Sequence, residues 1–297
     1  MLAKQGFFPV TGFCIAFLIL LQACAGASRD AINIDRTSHV SVNYDQRIKY
    51  VVIHYTSENF AESVRLLTTR TDYPVSSHYL VAREKDSVTG SSEAPIYQLV
   101  PDAQRAWHAG RSYWNGDTDL NYTSIGIEIV NESGCDAPIM ELKNTPAFST
   151  SCQFKPFTDR QIEAVSDLLE DLVQRYPDLK PIDIVGHSDI APLRKVDPGP
   201  FFPWKKLYDE GYGSWFDTVD YDRYLQQFSK TLPSITALQS ALAKLGYQIE
   251  VTGQEDMQSQ IVVRAFQMRY VQTHYTGRFD ADTAARLYAL VSKYRSR

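Results

Sequence analysis

Long apolar runs are almost absent from this chain. The one that stands out, Phe13 to Leu21, is too short to cross a bilayer, which takes ~20 apolar residues, so it is not read as a transmembrane helix. An excess of basic charge is absent as well: 30 Lys and Arg face 35 Asp and Glu, a net charge of −5, and no basic stripe points to nucleic acid as a partner. There is no long internal repeat and no low-complexity tract, which excludes a repeat array. Histidine is scarce, six in 297 residues, and none belongs to a His-Glu-x-x-His helix that would announce a zinc site by itself. What remains is 44% apolar and 22% charged residues, the profile of a folded globular chain of one large or two ordinary domains.

The first residues are an object of their own. Lys4 gives a weakly positive start, and the apolar run after it has the form of a secretory signal. Leu21-Gln22-Ala23-Cys24 resembles a bacterial lipobox, in which cleavage before the cysteine leaves that cysteine to be lipidated. An ordinary signal peptide with an incidental Cys24 is the competing reading. Ala25, where an aspartate would otherwise stand, is similar to lipoproteins sent to an outer membrane. The expectation is a signal peptide over residues 1–23, a lipid anchor on Cys24 in the outer membrane facing the periplasm, and a polar tether over 24–45. Each buried CH₂ of an acyl chain contributes about 0.8 kcal/mol to such anchoring. With Cys14 removed and Cys24 acylated, Cys135 and Cys152 remain, and an oxidising compartment invites a disulfide between them. Two buried free thiols are the alternative. The segment between them, 134–151, is expected to be a long loop.

Further along, Tyr50-Val51-Val52-Ile53 has a buried-strand pattern that ends in His54. His78 to Arg83, Ile96 to Val100, Ser124 to Val130 and Ile182 to Val185 are further strand candidates. Thr158 to Tyr176 is the clearest helix: Thr158 and Gln161 form a capping box, and Ile162, Val165, Leu169, Leu172 and Val173 mark one face. Strands interspersed with helices predict an α/β domain, a mixed sheet flanked by helices, over residues 46–232. After Pro233 the pattern is helical only. Ser234 caps a segment with Ile235, Leu238, Leu242 and Leu245 on one face, and two further helices follow, making a small, independent three-helix domain over 233–297.

His54 ends a strand, His187 follows another through Gly186, and Asp197 comes ten residues later. Two imidazoles and a carboxylate are a proper donor set for a catalytic zinc, which takes three protein ligands and keeps a fourth position open. On spacing alone, however, core histidines satisfied by hydrogen bonds account for the pattern better than a metal does. Glu128, between Ile127 and Ile129, is equally compatible with an outward-facing strand residue, and Lys195 with a surface lysine.

Four segments change that weighting. Val51-Val52-Ile53-His54-Tyr55-Thr56, Ala106-Trp107-His108-Ala109-Gly110, Ser124-Ile125-Gly126-Ile127-Glu128, and Gly186-His187-Ser188-Asp189 through Lys195-Val196-Asp197-Pro198-Gly199 resemble, in order, the signatures of the type 2 N-acetylmuramoyl-L-alanine amidases, which share a fold with the peptidoglycan recognition proteins. The branch most similar is that of the outer-membrane lipoprotein amidases. The resemblance implies one Zn²⁺ per chain on His54, His187 and Asp197, with Glu128 as catalytic carboxylate and Lys195 as the second catalytic group. It implies hydrolysis of the amide between N-acetylmuramic acid and L-alanine in peptidoglycan or muropeptides, for cell-wall turnover or recycling. Arg105, Trp107 and His108 are candidate substrate-binding residues, and Tyr113 and Trp114 are candidates for the same cleft.

Leu238-Gln239, Leu245-Gly246-Tyr247, Ala265-Phe266-Gln267 and Gly277-Arg278-Phe279-Asp280 resemble the type 1 peptidoglycan-binding domains, with the step after Gly253 stretched into Gln254-Glu255-Asp256. Every candidate catalytic group precedes Pro233, so this region is expected to aid wall retention and to be dispensable for small substrates. No obligate protein partner is evident. The rival readings are a peptidoglycan-recognition lipoprotein that binds without cutting and a metallopeptidase acting within the stem peptide. Asp197, Glu128 and Lys195 together favour the enzyme over the binder.

Overall fold

The computed structural model describes residues 34–86, 92–136 and 151–296. The signal sequence and Cys24 lie outside the described residues, and among those described no helix is long and apolar enough to cross a membrane. Residues 34–44 belong to a unit apart from residues 45–297; they are exposed, with the Thr37 and Ser38 amides donating to Asp35.

Strand β1 (Tyr50–Tyr55) is followed by helix α1 (Phe60–Thr68), whose first turn is closed by the Asn59 side chain accepting from the Glu62 amide. Then come β2 (Tyr79–Val81), β3 (Ile96–Gln98), the hairpin β4 (Tyr113–Trp114) and β5 (Asp117–Thr118), and β6 (Ser124–Ile129). A small ladder joins β7 (Gly134–Cys135) to β8 (Cys152–Gln153), and helix α2 (Asp159–Arg175) leads to β9 (Ile184–Gly186) and the four-residue α3 (His187–Ile190). The main sheet runs β3-β2-β6-β1-β9, parallel throughout except for the antiparallel β2–β3 edge.

Helices cover both faces of this sheet, which is why its inner strands are apolar almost throughout. Leu80 of β2 packs with Leu67 and Val64 of α1, while Tyr79 and Val81 join the larger core with Ile162, Val165, Leu169 and Leu172 of α2. Both arms of the capping box at Thr158 and Gln161 are formed. The expected strand over Ile182 to Val185 begins later: residues 181–183 make a single 3₁₀ turn, because Pro181 has no N–H to give a ladder and suits a first helical turn.

Cys135 and Cys152 face each other across the β7–β8 ladder and are joined as a disulfide. Residues 137–150, within the expected loop, lie outside the described residues. A cross-link over 17 positions contributes about 3 kcal/mol in the chain-entropy model. Protein purified without reductant should therefore resist alkylation at both cysteines, and the double Cys→Ser variant should unfold at a lower temperature. Two freely alkylated thiols in the untreated protein would contradict this.

The chain then adds α4 (Trp204–Asp209), α5 (Thr218–Phe228), α6 (Ile235–Leu245), α7 (Met257–Tyr270) and α8 (Ala281–Arg295). A repeat invisible to alignment by eye organises the last three. Gln239 in α6 and Gln267 in α7 are fully buried, and each accepts from the amide of a left-handed glycine, Gly253 and Gly277. Each also donates to a hydroxyl in the next helix, Ser259 or Thr283, whose amide is capped by Asp256 or Asp280. The step after Gly253 that looked stretched thus does the same work as the one after Gly277.

The C-terminal helices do not pack as a body apart from the sheet. Tyr247, Val262, Val263, Phe266, Tyr270, Leu287 and Leu290 share one continuous core with β1, β6, β9 and α2. Trp114, a cleft candidate, is instead fully buried, its ring edge-on to Tyr247 at 5.1 Å.

Candidate active site

The sheet register brings the first two chemical groups together. His54 on β1 is level with Glu128 on β6, and in a parallel pair, level residues point to the same face, about 4.8 Å apart strand to strand. Alternation along β6 sends Ile125, Ile127 and Ile129 into the core and Ser124, Gly126 and Glu128 to the other face. That face receives the ring of His108. A Cβ on Gly126 would stand 2.5 Å from its Cγ, so glycine is what lets the ring lie against the strand.

The hydrogen bonds around that ring assign its protons. The Ser124 hydroxyl donates its one proton to the Leu120 carbonyl (2.6 Å), so its oxygen accepts from His108 Nε2 (3.2 Å). His108 Nδ1 is then an acceptor, and His54 Nε2 donates to it at 2.9 Å. Neutral His54 therefore presents Nδ1 as a bare lone pair. His187 reaches the same state by a shorter route, because its Nε2 donates to the Ala109 carbonyl at 3.2 Å.

His54 Nδ1, His187 Nδ1 and Asp197 Oδ2 form a triangle with edges of 2.9, 2.9 and 3.1 Å. All three residues are buried. Burial pushes the His187 imidazole down to about 4, with Asp197 opposing, and burial drives His108 well below its ordinary value. Burial alone would raise the Asp197 carboxyl, yet positive charge at the two imidazole nitrogens it faces, His187 first and then His54, holds it well below the usual carboxylate range, and with those nitrogens bare a cation between them takes that part. Three converging lone pairs, one carrying negative charge, call for a cation between them. Ligands 2.0–2.1 Å from a tetrahedral zinc stand about 3.3 Å apart, close to these edges. His54, His187 and Asp197 could thus hold a metal ion. Among the described residues a second such group, His274, Asp280 and Asp282, is more exposed and already engaged: Asp280 caps α8, and Asp282 pairs with Arg286 and accepts from Tyr221.

Beside the triangle opens a cavity lined by Trp107, His108, Glu128, His187, Lys195 and Asp197, among others. Burial raises the Glu128 carboxyl to about 7, against the pull of the Lys195 ammonium. Its Oε2 is buried with no hydrogen-bond partner, a carboxylate oxygen left free for something that enters the cavity. Trp107 stands at the rim, 45% exposed.

Arg105 is not among the residues lining this cavity; its guanidinium lies 4.3 Å from the centre of the Tyr122 ring, a cation–π contact. His108 proves to be the group that orients His54, a role its neighbours Trp107 and Ala109 did not suggest; the Ser-x-Gly alternation on β6 is the signal that could have found it.

Residues 44–200 match the N-acetylmuramoyl-L-alanine amidase family, and residues 231–287 match a peptidoglycan binding domain family. Over 287 residues the chain is 39% identical to the N-acetylmuramoyl-L-alanine amidase AmiD of Escherichia coli, covering 94% of this chain and 96% of the relative. The structure of E. coli AmiD with anhydro-N-acetylmuramic acid-L-Ala-D-γ-Glu-L-Lys is similar over 91% of this chain and 98% of its own, with a TM-score of 0.75 at 38% identity. That of AmpDh3 from Pseudomonas aeruginosa in complex with anhydromuramic pentapeptide is similar over 89% and 99%, with a TM-score of 0.79 at 39% identity. Shared sequence from end to end, shared fold and a buried His-His-Asp donor set beside a free carboxylate lead to one conclusion: the chain belongs to the N-acetylmuramoyl-L-alanine amidase family and is an enzyme of that class.

Proposed function

We propose that this protein is a zinc-dependent amidase that releases stem peptides from muramyl and anhydromuramyl peptides during cell-wall turnover. The observation that carries the reading is the set of three proton-free donor atoms on His54, His187 and Asp197, next to the unpartnered Glu128 carboxylate in one cavity. When bound, zinc supplies Lewis acidity, lowering the pKa of water from 15.7 to about 7 and drawing charge from the scissile carbonyl. Glu128 takes the proton of the attacking water and delivers one to the alanine nitrogen as the carbonyl–nitrogen bond breaks, leaving a muramyl carboxylate and a free amine. Its partly raised pKa suits both halves of that transfer. Lys195 places positive charge where the carbonyl oxygen becomes an oxyanion. Trp107, at the rim, offers an aromatic face to sugar or peptide.

The inclusion of anhydromuramyl peptides rests on the ligands held by the two related structures. Incubating the protein with soluble anhydromuropeptides, ordinary muropeptides and sacculi, then identifying the new ends by mass spectrometry, tests the reaction and its substrate together. Release of intact stem peptides with an alanine N-terminus is expected; cleavage within the stem peptide would make the enzyme a metallopeptidase, and binding without any product would make it a recognition protein.

The anchoring of this activity at the outer membrane, facing the periplasm, belongs to the same proposal and rests on Leu21-Gln22-Ala23-Cys24 and Ala25. Cys24→Ala is expected to abolish incorporation of labelled palmitate and to move the protein from the membrane to the soluble fraction. Unchanged labelling and fractionation in that variant would remove the anchor from the proposal.

A further inference from the structure

His187 rides on a helix of only four residues, too short to hold its own orientation. What holds it is Asp189, one of the least exposed carboxylates in the molecule at 1%. Asp189 Oδ2 accepts from the Gly186 amide at 2.8 Å, closing the turn between β9 and His187. Both remaining partners of that carboxylate come from the C-terminal helical region. Arg269 Nη1 donates to Oδ2 at 2.5 Å, and the Tyr247 hydroxyl donates to Oδ1 at 2.5 Å. Arg269, itself 2% exposed, uses Nη2 to reach the Ile184 carbonyl on β9 (2.8 Å) and the Ser214 hydroxyl (3.0 Å), and stacks 4.2 Å over Trp204.

The segment of Asp197 is held from the same side. The Ser188 amide donates to the Asp197 carbonyl at 2.8 Å, linking the two ligand segments. Gln272, just past α7, donates to the carbonyls of Pro200 (3.1 Å) and Phe202 (2.6 Å). Apolar side chains would close such an interface at least as well as a buried ion pair does. What a guanidinium with fixed donors adds is direction: one fork pins a strand carbonyl and a carboxylate whose other bond sets the turn into His187.

We infer that Arg269 and Tyr247, in the region matched to peptidoglycan binding, are positioning residues for the metal site, acting on His187 through Asp189. The inference rests on the reading of His187 and Asp197 as metal ligands, and it makes the C-terminal helices part of the catalytic architecture as well as of wall binding. The full-length protein carries the test. Zinc affinity is measured by competition with a chromophoric chelator. The His187 ring signal is followed by ¹H–¹³C NMR in metal-free protein, assigned with His187→Gln, and the melting temperature is recorded alongside. Arg269→Met should weaken zinc binding by about 10–100-fold, the range seen for groups that orient metal ligands, and shift the His187 signal. Arg269→Lys should recover part of both, and Tyr247→Phe should weaken zinc in the same direction by less. Leu238→Ala, in a separate buried cluster of the same region, should lower the melting temperature and leave zinc affinity and the His187 signal unchanged.

Wild-type affinity and an unmoved His187 signal in Arg269→Met overturn the inference, as does a Leu238→Ala variant that loses zinc as readily. If Arg269→Met does not fold, Tyr247→Phe decides by the same two readouts. If the wild type itself takes up no zinc, it is the zinc reading that fails, and the metal-free His187 signal alone decides the positioning role.

Discussion

Replacing Glu128 by alanine is expected to leave zinc in place and lower turnover ~10²–10⁴-fold, the usual contribution of a general acid–base group. Replacing His187 or Asp197 by alanine is expected to remove zinc and activity together. The separation follows from geometry: His187 Nδ1 and Asp197 Oδ2 are two corners of the donor triangle, whereas Glu128 stands beside it with Oε2 unpartnered. Removing a corner also leaves the other two lone pairs facing each other in a buried site, which adds to the loss. Glu128→Gln should be no better than alanine, since an amide keeps the shape and cannot accept a proton. The ionised carboxylate is the working form, so wild-type turnover should fall as pH drops and Glu128 takes up a proton. Burial, opposed by Lys195, sets that point near 7, and the positive charge of a bound ion moves it lower. Metal analysis of each purified variant, paired with peptide release from a soluble muropeptide, makes the comparison. A Glu128→Ala protein that arrives without zinc, or that keeps full activity, ends the assignment of Glu128 as the base.

A chain ending at Pro233 is expected to lose cooperative folding, and with it activity even on small soluble substrates. This reverses the expectation from sequence, where every catalytic group lies before the cut. The cut removes Tyr247 from Trp114, strips Phe266, Tyr270, Leu287 and Leu290 from a core they share with the sheet, and takes Arg269 and Tyr247 away from the Asp189 carboxylate. Breaking a buried pair by removing one partner costs about 3–5 kcal/mol. That alone is a large part of the ~5–15 kcal/mol by which folded domains are stable. Thermal unfolding followed by circular dichroism, alongside muropeptide hydrolysis, checks it. A sharp transition with wild-type activity on small substrates would mean that the sheet domain closes its core without α6–α8.

Local chemistry along the chain determined a good deal. The short apolar run Val51 to Ile53 and the alternation along Ser124 to Ile129 marked strands, because such local patterns need no tertiary information to be read. Thr158 with Gln161 marked a helix start, because a capping box is closed within one turn. His54, Glu128, His187, Lys195 and Asp197 were all legible as candidates through four short motifs, and all five come to one site.

What the motifs could not contain was anything that depends on distance in space. Parallel pairing of β1 with β6 decided that Glu128 faces the same side as His54, which its flanking isoleucines left open. A chain of hydrogen bonds from Leu120 through Ser124 and His108 decided which nitrogen of His54 is bare, across residues scattered over 70 positions. Packing decided that Trp114 is core and that Arg105 lies outside the cavity. The largest difference concerns the C-terminal helices. Their periodicity showed three amphipathic segments, but α7 is buried all round from Ile261 to Tyr270, Arg264 and Arg269 included. A helix with no solvent face needs neighbours on every side, and three short helices cannot supply them. The sheet domain provides the missing side, and the charged Arg269 becomes the buried link between the two halves.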